Sequence, residues 1–181
     1  EGDAARRDRA AWVRDTVTRF LHRIEGPERM LAHREMLSEL DNVRSVLAWA
    51  IGTGDAETAQ WVAGGLGPFW MDQGLISEGR DWLDRSLELP GASIPSRVQA
   101  LYWAAGFVVW RHDLARAERL VQEALALSRR ADYPFGVATS LFMGGGVLER
   151  KGRLDDAERA YESALAALDG VTDPPWAKAY T

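Results

Sequence analysis

The chain has 181 residues, of which 46% are hydrophobic and 27% charged, a composition typical of a globular protein with enough length for a buried core. Its net charge is −5 and it has no cysteine, so nothing in the balance attracts nucleic acid, and disulfides and thiol nucleophiles are excluded. The three histidines are far apart and form no two-histidine metal motif. No apolar run approaches the roughly 20 residues of a membrane helix. These features argue against most enzyme classes and against membrane contact.

Helical periodicity runs through the whole chain. Apolar residues recur every three to four positions from Ala4 to Ile24, which predicts an amphipathic helix. Gly26-Pro27 predicts the end of that helix and the start of a second one, which continues through Leu37 and stops at Gly52. No stretch alternates with a period of two for long enough to predict a strand, so the predicted fold class is all-α. Further breaks are predicted near Gly74, Pro90-Gly91, His112-Asp113, Pro134, Gly152 and Pro174-Pro175.

Three segments of similar pattern follow one another from residue 55 onwards. Each has a turn residue, then two small residues with a large one between them, and each is preceded by further small residues that allow a close helix contact. In each segment the order is turn residue, first small residue, large residue and second small residue. These are Gly74, Gly79, Leu83 and Ser86 in the first segment, His112, Ala117, Val121 and Ala124 in the second, and Gly152, Ala157, Tyr161 and Ala164 in the third.

This pattern resembles the tetratricopeptide repeat (TPR), although the turns are 38 and then 40 residues apart instead of about 34. The resemblance implies antiparallel helix pairs stacked as a right-handed solenoid. It divides the chain into an N-terminal helical pair at 1–54, three TPR-like pairs at about 55–91, 92–132 and 133–172, and the start of a truncated fourth repeat at 173–181. Whether residues 1–54 form a degenerate repeat or a docking layer stays open. Pro68 is expected to bend the first helix of the first repeat.

A second resemblance extends over residues 6–89. An arginine-rich helix is followed by Glu39-Leu40-Asp41-Asn42-Val43-Arg44, by Gly54-Asp55-Ala56-Glu57 and by Ser77-Glu78-Gly79-Arg80-Asp81-Trp82-Leu83. This succession resembles the region after the ATPase and winged-helix modules of bacterial STAND-class NTPases, which include transcriptional activators of the LuxR and AfsR/SARP types. The resemblance implies a non-catalytic sensor region of a cytoplasmic regulator. Such a region binds a small-molecule inducer or a protein or peptide partner and controls upstream NTPase and DNA-binding modules, without itself contacting nucleic acid. The alternative is a generic TPR scaffold for protein–protein interaction that has no link to transcription.

Every motif that could carry catalysis also has a structural explanation, which we favour. The glycine runs 64–67 and 144–146 lack the Lys-Ser/Thr of a phosphate-binding loop and fall in predicted helices, where they favour close packing. Asp155-Asp156 opens a helix, where acidic residues interact well with the helix dipole. His33 and His112 are interpreted as surface or turn residues, and the arginines of the first helix are nearly balanced by acids. We therefore predict no catalytic residue, no metal site and no cofactor.

The chain has eight tryptophans, which is more than is usual for a protein of this length. In a repeat of the TPR type, one side of each first helix faces a concave groove, and here that side would be largely aromatic, with Gly106 and Gly146 among its positions. The competing interpretation is that aromatic residues at helical spacing belong to a core. The predicted groove residues, which would bind an effector or partner, are Trp61, Met71, Asp72, Gln99, Tyr102, Trp103, Trp110, Phe142, Met143, Glu149 and Arg150.

Overall fold

A computed structural model describes residues 2–169, and within this range the chain forms ten α-helices and no strand. The all-α prediction is therefore confirmed for this part of the chain. The predicted start of a fourth repeat at 173–181 and the break near Pro174-Pro175 lie outside the described residues. The helices are α1 (Asp3–Arg23), α2 (Arg29–Ser38), α3 (Leu40–Thr53), α4 (Ala56–Gly65), α5 (Gly67–Asp72), α6 (Ile76–Leu87), α7 (Ile94–Val109), α8 (Leu114–Arg130), α9 (Pro134–Arg150) and α10 (Leu154–Ala167).

Several connections between helices share one backbone geometry. A residue with positive φ ends the helix, and the amide of the next residue donates to the carbonyl five positions earlier, as from Leu75 to Trp70 at 2.8 Å and from Arg153 to Leu148 at 3.0 Å. Glycine adopts positive φ without steric cost, whereas a residue with a Cβ atom is strained there by about 1–2 kcal/mol. The breaks predicted near Gly74, His112 and Gly152 are confirmed. The residues with this conformation are Gly54 (φ 77°), Gly74 (71°), His112 (61°), Asp132 (48°) and Gly152 (74°).

The first helix of the first predicted repeat was expected to bend at Pro68, and the structure shows that it is interrupted instead. Helix α4 ends at Gly65 and α5 begins at Gly67, so that Pro68 lies in the first turn of α5, where its missing amide removes no hydrogen bond. Within a continuous helix, the Pro68 ring would clash with the carbonyl four residues earlier. The indole of Trp70 spans the break and donates to the carbonyl of Ala63 at 3.3 Å.

The prediction of a single helix from Pro27 to Gly52 is wrong, because the structure has two helices in this range. The chain turns at Glu39, where φ is −97° and ψ is 2°, and this turn separates α2 from α3. The turn allows Met36 of α2 and Val43 of α3 to enter the same core, each 1% exposed. Leu37, which the periodicity placed on the buried stripe, is 49% exposed.

The helices contact one another in a repeating order. Helix α1 packs against α3, α4 against α6, α7 against α8, and α9 against α10. The first members of these pairs are also neighbours, since α1 contacts α4, α4 contacts α7, and α7 contacts α9. The second members α3, α6 and α8 contact the first helix of the following pair. Helix α2 packs on α1 and α3, and α5 packs on α4 and α6.

The largest core lies among α1–α7, and smaller clusters join α7, α8 and α9. Phe69, Trp70 and Leu83 are completely buried in the large core, and Gly79 provides the space for the Trp70 ring, since a Cβ there would lie 2.5 Å from it. In the second and third segments the predicted small residues Ala117, Ala124, Ala157 and Ala164 are all buried.

Candidate functional site

The exposed aromatic side chain of Trp110 contacts an arginine from a neighbouring helix. Trp110 directly follows α7 and is 61% exposed, and the guanidinium carbon of Arg150, the last residue of α9, lies 5.8 Å from its ring centroid. This is the geometry of a cation–π interaction. Each residue stands two positions before a left-handed turn residue, His112 or Gly152, and the equivalent turns place both at the same end of α7 and α9. The structure thus brings two of the predicted groove residues together.

A second aromatic contact joins α9 to α10. Phe142 is 56% exposed, and its ring centroid lies 5.5 Å from that of Tyr161. The Tyr161 hydroxyl donates to Glu149 Oε2 at 3.0 Å, and burial together with this carboxylate raises the pKa of Tyr161. The Tyr161 ring fills the space where a side chain at Gly145 would stand. Glu149, a predicted groove residue, is therefore engaged with α10.

Two glycines, one on α7 and one on α9, have room for a side chain without a close overlap. A Cβ at Gly146 would have Tyr161 Oη as its nearest neighbour, at 3.9 Å, and one at Gly106 would meet Met143 Cε at 3.4 Å. On α9, residues 142, 143, 146 and 150 fall within one side of the helix. We call this region the α7–α9 surface and define it by Gly106, Trp110, Phe142, Met143, Gly146 and Arg150.

The predicted groove residues nearer the start of α7 are half-buried. The Trp103 ring covers Gly67 at the start of α5, where any side chain would overlap it, and meets Tyr102 edge-on with centroids 5.4 Å apart. Burial raises the pKa of Tyr102. Gln99 is half-buried one turn earlier. Trp103 therefore packs α7 against the break between α4 and α5.

In the first segment, one predicted groove residue is buried, whereas Met71 and Asp72 are exposed. Trp61 is 7% exposed and belongs to the largest core, so its ring lines no groove, which corrects the prediction for this residue. Met71 is 38% exposed. The Asp72 carboxylate accepts a hydrogen bond from Arg29 of α2 and lies 3.1 Å from Nε2 of His33. Trp61 is buried because α4, which carries it, packs against α1, α3, α6 and α7.

The interpretation of His33 as a surface residue is wrong. His33 is 7% exposed, with its ring centroid 5.1 Å from that of Phe20 and 5.9 Å from that of Phe69. Burial lowers the pKa of His33, and the charge of Arg29 acts in the same direction while Asp72 opposes both. Ala32 and Met36 are buried on the same side of α2, so the apolar spacing around His33 is the signal that could have predicted its burial.

The acidic pair Asp155-Asp156 opens a helix, as predicted. Asp155 and Asp156 lie in the first turn of α10, and Asp156 pairs with Arg153 and Arg159. Among residues 2–169, no group of three or more histidine and acidic side chains could hold a metal ion. In that same range, every helix is too short or too polar to cross a membrane.

Comparison with known proteins gives a distant similarity to regulators. No family model matches the chain. The chain is 25% identical, over an alignment of 192 residues, to proteins named "Putative HTH-type transcriptional regulator" from Mycobacterium bovis and from two strains of Mycobacterium tuberculosis. Each match includes 97% of this chain and 21% of the relative, so the chain spans about a fifth of the length of these relatives. The similarity is compatible with a regulatory role.

Proposed function

We propose that the described helices form a right-handed, TPR-like solenoid with four helix pairs. The support is the order of contacts, which is the same for α1 and α3 as for the three pairs that follow. In this view α1 and α3 are a degenerate pair into which α2 is inserted, and α5 continues α4 beyond its break. The recurring left-handed turns and the buried small residues are consistent with one repeated unit.

This array acts as the sensor or interaction region of a larger bacterial transcriptional regulator of the STAND class. It is not itself an enzyme, and it binds an effector or a protein partner and controls NTPase and DNA-binding modules elsewhere in the protein. The observation that carries this proposal is the coverage of the similarity, which includes 97% of this chain and only 21% of the HTH-type regulators. The remaining length of such a protein has room for those modules.

A solenoid suits this task because each pair contacts only its neighbours, so that small rotations between pairs add along the array. The α7–α9 surface bridges two successive pairs. An effector bound there with higher affinity for one angle between the pairs shifts the population towards that angle. The change is then passed along the array to the attached modules.

A transcription experiment tests this function. The full-length regulator is restored to a strain that lacks it, either unchanged, with Trp110→Ala and Phe142→Ala together, or with the control Met30→Ala, which alters a side chain that is 78% exposed on α2. The double variant should abolish regulation of the genes that depend on the protein, with protein level and DNA binding retained, and the control should not. Unchanged regulation in the double variant, or the absence of any dependent gene, would favour the interaction scaffold unconnected with transcription.

A further inference from the structure

We infer that the α7–α9 surface binds a short amphipathic helix that carries a carboxylate side chain next to its apolar residues. The inference rests on the proposed function and specifies the chemistry of the partner. It follows from three features of residues 2–169: a helix that contacts the equivalent position in the first segment, an arginine that has no acidic partner in this range, and a glycine that no packing within this range requires.

The precedent is α2, which lies against the first segment at a position equivalent to the open surface. Asp72, Trp110 and Arg150 each stand two residues before a left-handed turn residue, so they are equivalent in the three segments. At the first of these positions, the ten-residue helix α2 contacts the carboxylate of the exposed residue Asp72 through Arg29 and His33. At the other two positions no helix of the described chain lies over Trp110 and Arg150, and Trp110 is 61% exposed.

The sign of the charge differs between the two places. The negatively charged Asp72 pairs with Arg29 of α2, whereas the α7–α9 surface carries the positively charged Arg150. Arg150 contacts the Trp110 ring and has no carboxylate partner among residues 2–169. The acids nearby are engaged elsewhere: Glu149 accepts from Tyr161, Asp113 caps α8 by accepting from the Arg116 amide, and Glu118 pairs with Lys151. The charge of Arg150 is thus available to a carboxylate of the partner, and the Trp110 ring holds the guanidinium in place for it.

The backbone of α9 is also accessible to a partner. Gly144 and Gly145 are explained by internal packing, since a Cβ would lie 3.3 Å from Val121 Cγ1 at the first and would overlap the Tyr161 ring at the second. Gly146 has no such neighbour. A glycine inside a helix costs about 0.5–1 kcal/mol relative to alanine. A partner helix that approaches α9 closely, with its apolar side chains on Trp110 and Phe142, accounts for this cost.

The test compares two synthetic helix-forming peptides of about fourteen residues that share one leucine face. Glutamates flank this face in the first peptide, and lysines replace them in the second. Fluorescence anisotropy of the labelled peptides is measured with the 181-residue chain. The glutamate peptide should bind at least about tenfold more tightly, which corresponds to about 1.4 kcal/mol, and its affinity should fall with added salt.

Charge reversal on the protein completes the test. Arg150→Glu should invert the preference between the peptides, and Arg34→Glu, the same change at an exposed site on α2, should leave it unchanged. Circular dichroism shows whether each variant is folded. Equal binding of both peptides that is lost in Trp110→Ala would overturn the carboxylate partner and leave the recognition surface of the proposed function intact. Binding of neither peptide would overturn the helical partner, while the transcription experiment decides the proposed function separately.

Discussion

The two halves of the described chain are stabilised in different ways. Helices α1–α6 surround most of the largest core, in which bulky side chains such as Phe69 and Trp70 are fully buried. In α7–α10 the helices meet through alanine and glycine, and the clusters of buried residues are smaller. The half with the bulky core contains the inserted α2 and the break after α4. In the other half the turn residues His112, Asp132 and Gly152 recur at intervals of 20 residues. The same interval of 20 residues separates Gly54 and Gly74 in the first half, so the halves share this spacing and differ in the size of their buried side chains.

The largest effect expected from this difference is on the two tryptophans Trp70 and Trp110. Trp70→Ala removes a side chain that is completely buried together with its hydrogen bond to Ala63, and should lower the free energy of unfolding by about 3–5 kcal/mol. Trp110→Ala alters a residue that is 61% exposed and should cost less than about 1 kcal/mol. Urea denaturation of both variants measures this contrast. If both variants lost a similar free energy of unfolding, the two halves would not differ in how their tryptophans contribute to stability.

Two adjacent glycines of α9 provide a finer comparison. Gly145→Ala places a methyl group against the Tyr161 ring and should destabilise the chain by about 1–3 kcal/mol. Gly146→Ala meets no atom closer than 3.9 Å and should stabilise it by up to about 1 kcal/mol, because alanine favours the helix. The midpoint of urea unfolding should therefore move in opposite directions. Repeating Gly145→Ala in a Tyr161→Ala background should remove its cost, and a persistent cost would show that the ring is not its cause.

A smaller effect, confined to the N-terminal half, is expected from pH. Burial lowers the pKa of His33 in the folded chain, so folding favours its neutral form. The corresponding stability is fully present above the ordinary histidine pKa of about 6.5 and is lost as the pH falls from there through the lowered pKa of the folded state. The melting temperature should thus fall between about pH 7.5 and pH 5.5, and His33→Gln should reduce this fall. If the melting temperature of His33→Gln fell by the same amount as that of the unchanged chain, His33 would not be the cause of the fall. The same would follow if the control His112→Gln no longer showed the fall.

The sequence predicted those parts of the fold that depend on local signals. The positions of Gly74 and Gly152 follow from the freedom of glycine at positive φ, and that of His112 from its equivalence to them. The turn at Glu39 escaped prediction because it contains neither glycine nor proline and the apolar spacing continues across it. That turn depends on the packing of α2 and α3 against α1, which no local pattern encodes.

The same distinction applies to the candidate site. The repeat pattern placed Trp110 and Arg150 at equivalent positions, and the structure brings them into contact. Trp61 was assigned to the same side of its helix, and yet it is buried. Periodicity indicates which residues share one side of a helix, but the helices that cover that side come from distant parts of the chain. The spacing of Ala32 and Met36 indicates that His33 lies on the buried side of α2. Its ring contacts with Phe20 and Phe69 could not be derived from that spacing, because these residues belong to other helices.

In the proposed array α2 is an insertion between α1 and α3, and this has a consequence for how such proteins would diversify. Helix α2 adds ten residues to a connection while α1 and α3 still contact each other. Connections on the surface tolerate added length more readily than the helices they join. A gene can therefore acquire a short helix at such a connection, and with it a new neighbour for the adjacent helices, in one step that leaves the older contacts in place. Under the proposed function, selectivity for an effector or partner would then evolve through the connections, while the paired helices keep the stability of the fold.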